Sequence, residues 1–125
     1  MNATFFKIQN QVDLDIEFAI NITNTIVTPH IKALALCSIG IEVAKIDTRR
    51  SNEFFKDVVN ITKTLGYQYI DIAFEIIRKV FRVNSLQALT MREEVIEKVY
   101  KLTDLNERTT LLIAIAENLL VAIYN

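Results

Sequence analysis

The chain has 125 residues, 51% of them hydrophobic, and a net charge of −1 from 14 basic and 15 acidic side chains. That length suits one domain spanning residues 1–125, burying about two thirds of the surface its unfolded chain exposes, and the hydrophobic share excludes disorder. The charge balance offers no basic excess for phosphates, so no nucleic-acid partner is expected, and two Gly with one Pro are too few turn residues for a strand-rich fold.

The first helix is predicted over about Val12 to Val27. Val12, Ile16, Ala19, Ile20, Thr23 and Val27 make one apolar face, and Leu14, Phe18 and Ile22 make a second. A helix apolar on most of its circumference is expected to pack on two sides. Thr28-Pro29 ends it and opens the second helix, with Thr at the N-cap and Pro at N1, where a missing N–H costs nothing. That second helix runs to about Ile46 and carries only Lys32, Glu42 and Lys45 as charges, which makes it the expected central helix. Asp47-Thr48 caps the third, about Arg49 to Leu65. Its face of Phe54, Phe55, Val58, Ile61, Thr62 and Leu65 opposes Asn52, Glu53, Lys56, Asp57, Asn60 and Lys63, the pattern of a one-sided surface helix. Gly66 follows at C′, where a left-handed glycine ends a helix cheaply.

The fourth helix, about Gln68 to Val83, is again apolar on two sides, with Asp71, Glu75, Arg78, Lys79 and Arg82 as its polar stripe. Asn84 to Leu89 reads as a linker, and Thr90-Met91-Arg92-Glu93 as a capping box opening the fifth helix, to about Leu102. Asp104 with Glu107 caps the sixth, which runs through LLIAIAENLLVAIYN. Connections of two to four residues elsewhere make neighbouring helices antiparallel. The fold class is therefore all-α, with six antiparallel helices forming either a short helical-repeat stack or a closed helical bundle.

The repeat expectation comes from the chain nearly copying itself. Ile20-Asn21-Ile22-Thr23-Asn24-Thr25 recurs as Val59-Asn60-Ile61-Thr62-Lys63-Thr64, 39 residues on, and the same offset aligns Ile31 with Ile70 and Ile41 with Val80. A weaker third copy starts near Val95-Ile96. Periods of roughly 20 to 50 residues mark supersecondary units stacked on copies of themselves.

Ala35-x-x-x-Ile39-x-x-x-Val43-Ala44-Lys45-Ile46-Asp47, followed by Ser51-x-x-x-Phe55-x-x-Val58, resembles the helix pair of archaeal helical-repeat proteins of tetratricopeptide type. In such repeats a small residue, a Phe and a small apolar residue lock the second helix against the first. The resemblance covers residues 29 to 66 well and 68 to 102 poorly. The period is 39 rather than 34, the Pro that ends each such repeat is missing, and the Leu-Gly of the first helix appears only as Ile39-Gly40, slipped by one. Those proteins are mostly peptide- or partner-binding scaffolds, so the resemblance implies an interaction role and carries no binding residues across.

Single residues that could bear chemistry lack the companions chemistry needs. His30 is the only His, with no Cys, Asp or Glu cluster at ligand spacing, and reads as a surface or interface His. Cys37, between Leu36 and Ser38, reads as a buried small hydrophobe rather than a reactive thiol, which wants an electropositive, partly exposed setting. Glu117-Asn118 interrupt the apolar last helix and read as an exposed stripe or a hydrogen-bonded subunit contact, since an acid–base role needs a second group. Arg49-Arg50 reads as solvated. Tyr67, Tyr69 and Phe74 are either groove-lining or core, and the spacing of Tyr69 and Phe74 favours core.

With no catalytic residues, cofactor or metal ligands to name, the expected function is a non-enzymatic protein-interaction or scaffold module that self-associates. The alternative is a small-molecule or lipid-binding helical bundle lined by the second or fourth helix. The expected interface is the last helix, at Leu112, Ile115, Leu119, Leu120, Ile123 and Tyr124, because its apolar residues point in nearly every direction and would otherwise leave a large patch in water. A two-fold dimer is the commonest way to hide such a patch, and a further protein or peptide partner is open. A single Cys and charges at Lys7, Asp13 and Asp15, where a secretory leader needs its apolar stretch, point to the cytoplasm. The longest apolar runs, Leu111–Ala116 and Leu119–Tyr124, fall short of the roughly 20 residues of a membrane span.

Overall fold

The computed structural model describes the backbone of residues 3–124 and the side chains of residues 3, 4 and 7–121. Within that range the chain is all-α: α1 (Ala3–Asn24), α2 (Pro29–Ala44), α3 (Thr48–Thr64), α4 (Ile70–Phe81), α5 (Ser85–Tyr100) and α6 (Leu105–Tyr124), with a single 3-10 turn at Tyr67–Tyr69 leading into α4. No helix among the described residues is long and apolar enough to cross a membrane.

Helices α2, α4 and α6 form a row, α4 packing on both of the others. Each row member but the last takes the next helix in the chain onto its flank: α3 lies along α2, and α5 along α4. Helix α1 packs on α2 at one extremity, and α6 meets α4 and α5 at the other. This order of packing sets α2 and α4 at the centre, and their residues Ala33, Leu36, Cys37, Phe74, Ile76 and Val80 are all nearly inaccessible to solvent.

The closest seam joins α2 to α3. Gly40, itself buried, lies where a methyl group would meet Cβ of Phe54 at 3.1 Å and Cζ of Phe55 at 3.2 Å. Only the missing side chain lets the two backbones approach this far. Phe54, Phe55 and Val58 are buried, with Ile61 and Leu65 half-buried, while Asn52, Lys56 and Lys63 face water, so α3 is one-sided as its periodicity predicts.

Residues related by the 39-residue offset share detailed geometry. Thr23 of α1 and Thr62 of α3 are both buried, and each hydroxyl donates to the carbonyl four residues back at 2.7 Å, Thr23 to Ala19 and Thr62 to Val58. Two residues on, Thr25 donates to Ile22 and Thr64 to Ile61. Ile16 and Phe55, also 39 apart, are both buried.

Several boundaries differ from expectation. Helix α1 begins at Ala3 rather than near Val12, and ends at Asn24; Phe5 and Ile8 extend the Val12–Ile16 spacing backward by two turns, a signal the expectation left out. Helix α5 begins at Ser85, not Thr90. Its N-cap is Asn84, whose Oδ1 accepts from the Gln87 amide at 3.0 Å, while Thr90 sits inside the helix and donates to the Leu86 carbonyl. The supposed linker is helix because Asn84 competes for the same capping role and sits where α4 has ended. Helix α3 ends at Thr64 with Leu65 already extended, and Gly66 follows extended at φ −73° and ψ 167°, so no left-handed turn closes it. Asp47 and Asp104 cap as expected, the first accepting from the Arg49 and Arg50 amides and the second from Glu107. Thr28 holds the N-cap position of α2 without a side-chain bond.

Candidate functional site

The outward faces of the two extreme helices each carry a row of exposed apolar side chains. On α1, Leu14, Phe18 and Ile22 are 62%, 67% and 52% exposed. They follow one another at four-residue steps, with Ile8 beside them, and Lys7, two turns before Leu14, stands on the same face. This overturns the expectation that α1 packs on two sides: its inner face of Val12, Ile16, Ile20 and Thr23 meets the core, and the second face is exposed, uncovered by any of the described residues. Helical periodicity shows that a face is apolar, not that something covers it.

The 39-residue offset carries a sharper signal. Leu14 and Phe18 align with Glu53 and Asp57, which α3 presents to water. Ile22 aligns with Ile61, which α3 packs against the core. Helix α1 thus differs from its counterpart by exchanging solvated carboxylates for bulky apolar groups.

On α6 the outward face is Ile113, Leu120 and Val121, at 55%, 53% and 40% exposure, with Glu117 among them and Leu105 near the start. Of the six residues expected at an interface, Leu120 lies on this face. Ile115 is a correction: it is buried against the chain's own core, with Leu111. Leu112 and Leu119 are half-buried on the same side. Ile123 and Tyr124 lie outside the described side chains. Helix α6 is therefore one-sided in its lower half, and the sequence reading assigned to a partner what α4 and α5 already cover.

Asn118 holds α6 to α4. It is buried, and its Nδ2 donates to Asp71 Oδ1 at 2.9 Å and to the Ala114 carbonyl at 2.9 Å, while its Oδ1 accepts from Arg78 Nη1 at 3.2 Å. The adjacent Glu117 is exposed. The pair Glu117-Asn118 is thus one solvated carboxylate and one internal clamp, and the clamp lies within the chain rather than across subunits.

Two concavities flank α3 and α5. An apolar crevice lined by Val59, Leu65, Tyr67, Ile70, Met91 and Val95 encloses about 50 Å³, well below the roughly 300–1,000 Å³ of ligand pockets. Helix α2 does not line it. A polar cleft of about 410 Å³ lies between the first turns of α3 and α5, bordered by Arg49, Asn52, Glu53, Lys56, Asn84 and Gln87. Arg50 is turned away to pair with Asp13 of α1 at 2.8 Å.

The remaining reactive groups are accounted for by packing. His30 stacks on Tyr69 with ring centroids 4.4 Å apart, joining the start of α2 to the 3-10 turn. Cys37 is fully buried, its Sγ 3.9 Å from the Ile76 carbonyl, and burial pushes its thiol up to about 11 against the opposing pull of Lys79 and Arg82. Phe74 is core, as its spacing predicts. Among the described residues no three His, Cys, Asp or Glu side chains converge on a common point. No protein-family model, curated protein or solved structure matches this chain.

Proposed function

We propose that this protein is a short helical-repeat scaffold, non-enzymatic and cytoplasmic, that works by binding other protein surfaces and first of all copies of itself. The observation that carries the reading is the pair of uncovered apolar faces on α1 and α6. Soluble proteins rarely leave large contiguous apolar patches in water, and those they leave are commonly contact sites. The repeat character is supported by the matched Thr23 and Thr62 bonds and by the row of α2, α4 and α6 flanked by α3 and α5. Stacked repeats bury a core only against neighbours, so their outermost helices either carry polar faces or receive a partner. Here the outermost faces are apolar.

Sedimentation equilibrium of the chain from about 1 to 100 μM, the range where modest interfaces act, tests the reading. Average mass rising above 14.4 kDa with concentration is the expected result. A constant 14.4 kDa throughout overturns self-association.

A further inference from the structure

We infer that α1 pairs with α1 of a second copy, the two helices running antiparallel about a two-fold axis. The inference rests on the self-association reading and says which face associates and in what register.

The first turns of α1 stand clear of the other helices. Every described side chain from Ala3 to Gln11 is exposed, and the first buried residue of the helix is Ile16. A helical stretch without packing is marginal in water, and this one carries Ile8, 60% exposed. The exposed side continues through Gln11, Leu14, Asp15, Phe18 and Ile22, which follow at helical steps of three and four. One stripe therefore runs from Lys7 to Ile22 without cover among the described residues.

The charges on that stripe fit a second copy of it. Helix α1 has Lys7, Asp13, Asp15 and Glu17 as its charged side chains. Asp13 is paired with Arg50 at 2.8 Å. Glu17 is exposed on the flank, about 100° round the helix from Phe18 and outside the stripe. Lys7 and Asp15 remain on it, both exposed, and stand two turns apart, too far to pair within one helix. Asp15 accepts from the neutral amide of Gln11 at 2.9 Å, and the ion pairs among the described residues include neither group. An antiparallel copy crossing between Val12 and Asp13 overlaps the two helices from Ala3 to Ile22. It lays Leu14 against Gln11 of the other copy, and Lys7 against Phe18, one turn from Asp15. The two-fold axis makes each contact twice, so both Lys7 side chains meet an opposite charge. A parallel pair in register instead sets like charge on like, and the α6 stripe has only Glu117 to offer a copy of itself.

The area suffices. Ile8, Leu14, Phe18 and Ile22 are 52% to 67% exposed. At roughly 100 Å² each, these side chains from two copies bury on the order of 800 Å² of apolar surface. With the polar rim of an interface about 65% apolar, the total reaches about 1,200 Å², where specific interfaces begin. A contact that uses the same patch on both sides closes at two copies.

Lys7→Glu, Asp15→Lys, Phe18→Glu and Leu120→Glu test this. All four alter exposed side chains, and circular dichroism with thermal melting confirms that each variant is folded. In sedimentation equilibrium from about 1 to 100 μM, the unaltered chain and Leu120→Glu rise toward twice 14.4 kDa and no further. Phe18→Glu stays at 14.4 kDa. Lys7→Glu and Asp15→Lys each associate about tenfold more weakly, because each sets like charges together at two places. Mixed in equal amounts, those two variants recover the unaltered affinity to within about threefold, since each supplies the charge the other has reversed. If Leu120→Glu dissociates the chain, or Phe18→Glu leaves it associated, the contact lies elsewhere and the inference falls while self-association stands. A mixture that binds no better than its components overturns the antiparallel register. Mass climbing past two copies means a contact that does not close, and overturns the inference too. An unaltered chain that is monomeric throughout removes both this inference and the reading beneath it.

Discussion

Gly40 on α2 and Phe55 on α3 stand so close that a methyl group on the glycine would lie 3.2 Å from the tip of the phenyl ring. A glycine inside a helix costs about 1 kcal/mol relative to alanine, and here the close approach of two helices offsets that cost. The ring fills the space the glycine leaves. Phe55→Ala is expected to lower stability by about 3–5 kcal/mol through the cavity it opens, and Gly40→Val by about 1–3 kcal/mol through overpacking. Urea denaturation measures both. A loss under about 0.5 kcal/mol at either position, typical of surface sites, would show that the seam is looser than these distances state.

The start of α5 separates two capping candidates. Asn84→Ala removes the bond to the Gln87 amide and is expected to cost about 1 kcal/mol. Thr90→Ala removes only a hydroxyl donating within its own helix and is expected to change stability by less than about 0.5 kcal/mol. Thermal or urea unfolding of the two variants side by side decides it. A larger loss at Thr90 than at Asn84 would move the helix start back to Thr90.

Asn118 is expected to be worth more than an ordinary polar residue because both its α4 partners are charged groups. Asn118→Ala should cost about 1.5–3 kcal/mol, the range for hydrogen bonds to charged groups. Asp71→Ala combined with it should add less than Asp71→Ala alone, since the two share one bond. Strict additivity in that double-mutant cycle would mean that the 2.9 Å contact contributes nothing in solution.

Cys37 makes stability depend on alkaline pH. Burial raises its thiol from 9.0 to about 11 in the folded chain, so between those values the unfolded chain binds fewer protons than the folded one. Stability from this group is intact below pH 9 and falls as pH climbs toward 11. Relative to Cys37→Ala, the unaltered protein is expected to lose on the order of 2 kcal/mol across that window. Equal pH slopes for the two proteins would show that the thiol titrates normally.

Much of the architecture is legible in the sequence, for identifiable reasons. Asp47 and Asp104 precede clean apolar patterns and cap their helices as the pattern predicts. The α3 face is legible because Phe54, Phe55 and Val58 alternate with obligate surface residues. The α1 start escapes the reading although Phe5 and Ile8 continue the spacing of Val12 and Ile16 backward, because Lys7, Gln9, Asn10 and Gln11 make that stretch read as polar. The α5 start misleads because Thr90 and Glu93 match a capping box by spacing alone. Of the residues expected at an interface, Leu120 is exposed while Ile115 is buried in the chain's own core: a helix apolar all round does not reveal which side its own chain covers. Leu14 and Phe18 could have been found by comparing the two copies of the repeat, where Glu53 and Asp57 take their places.

Thr23 hides its hydroxyl by bonding to Ala19 of the same helix, and a group satisfied within its own helix travels with that helix when it slides. Asn118 is tied to α4 at Asp71 and Arg78, so α6 cannot shift along α4 without breaking bonds to charge. The polar tie found for α1 is the single part-buried pair of Asp13 with Arg50 at 2.8 Å, against three bonds at Asn118. The α6 end is therefore expected to hold its register more firmly than the α1 end. Amide exchange should record the gradient, slower in α6 around Asn118 than at the same depth in α1.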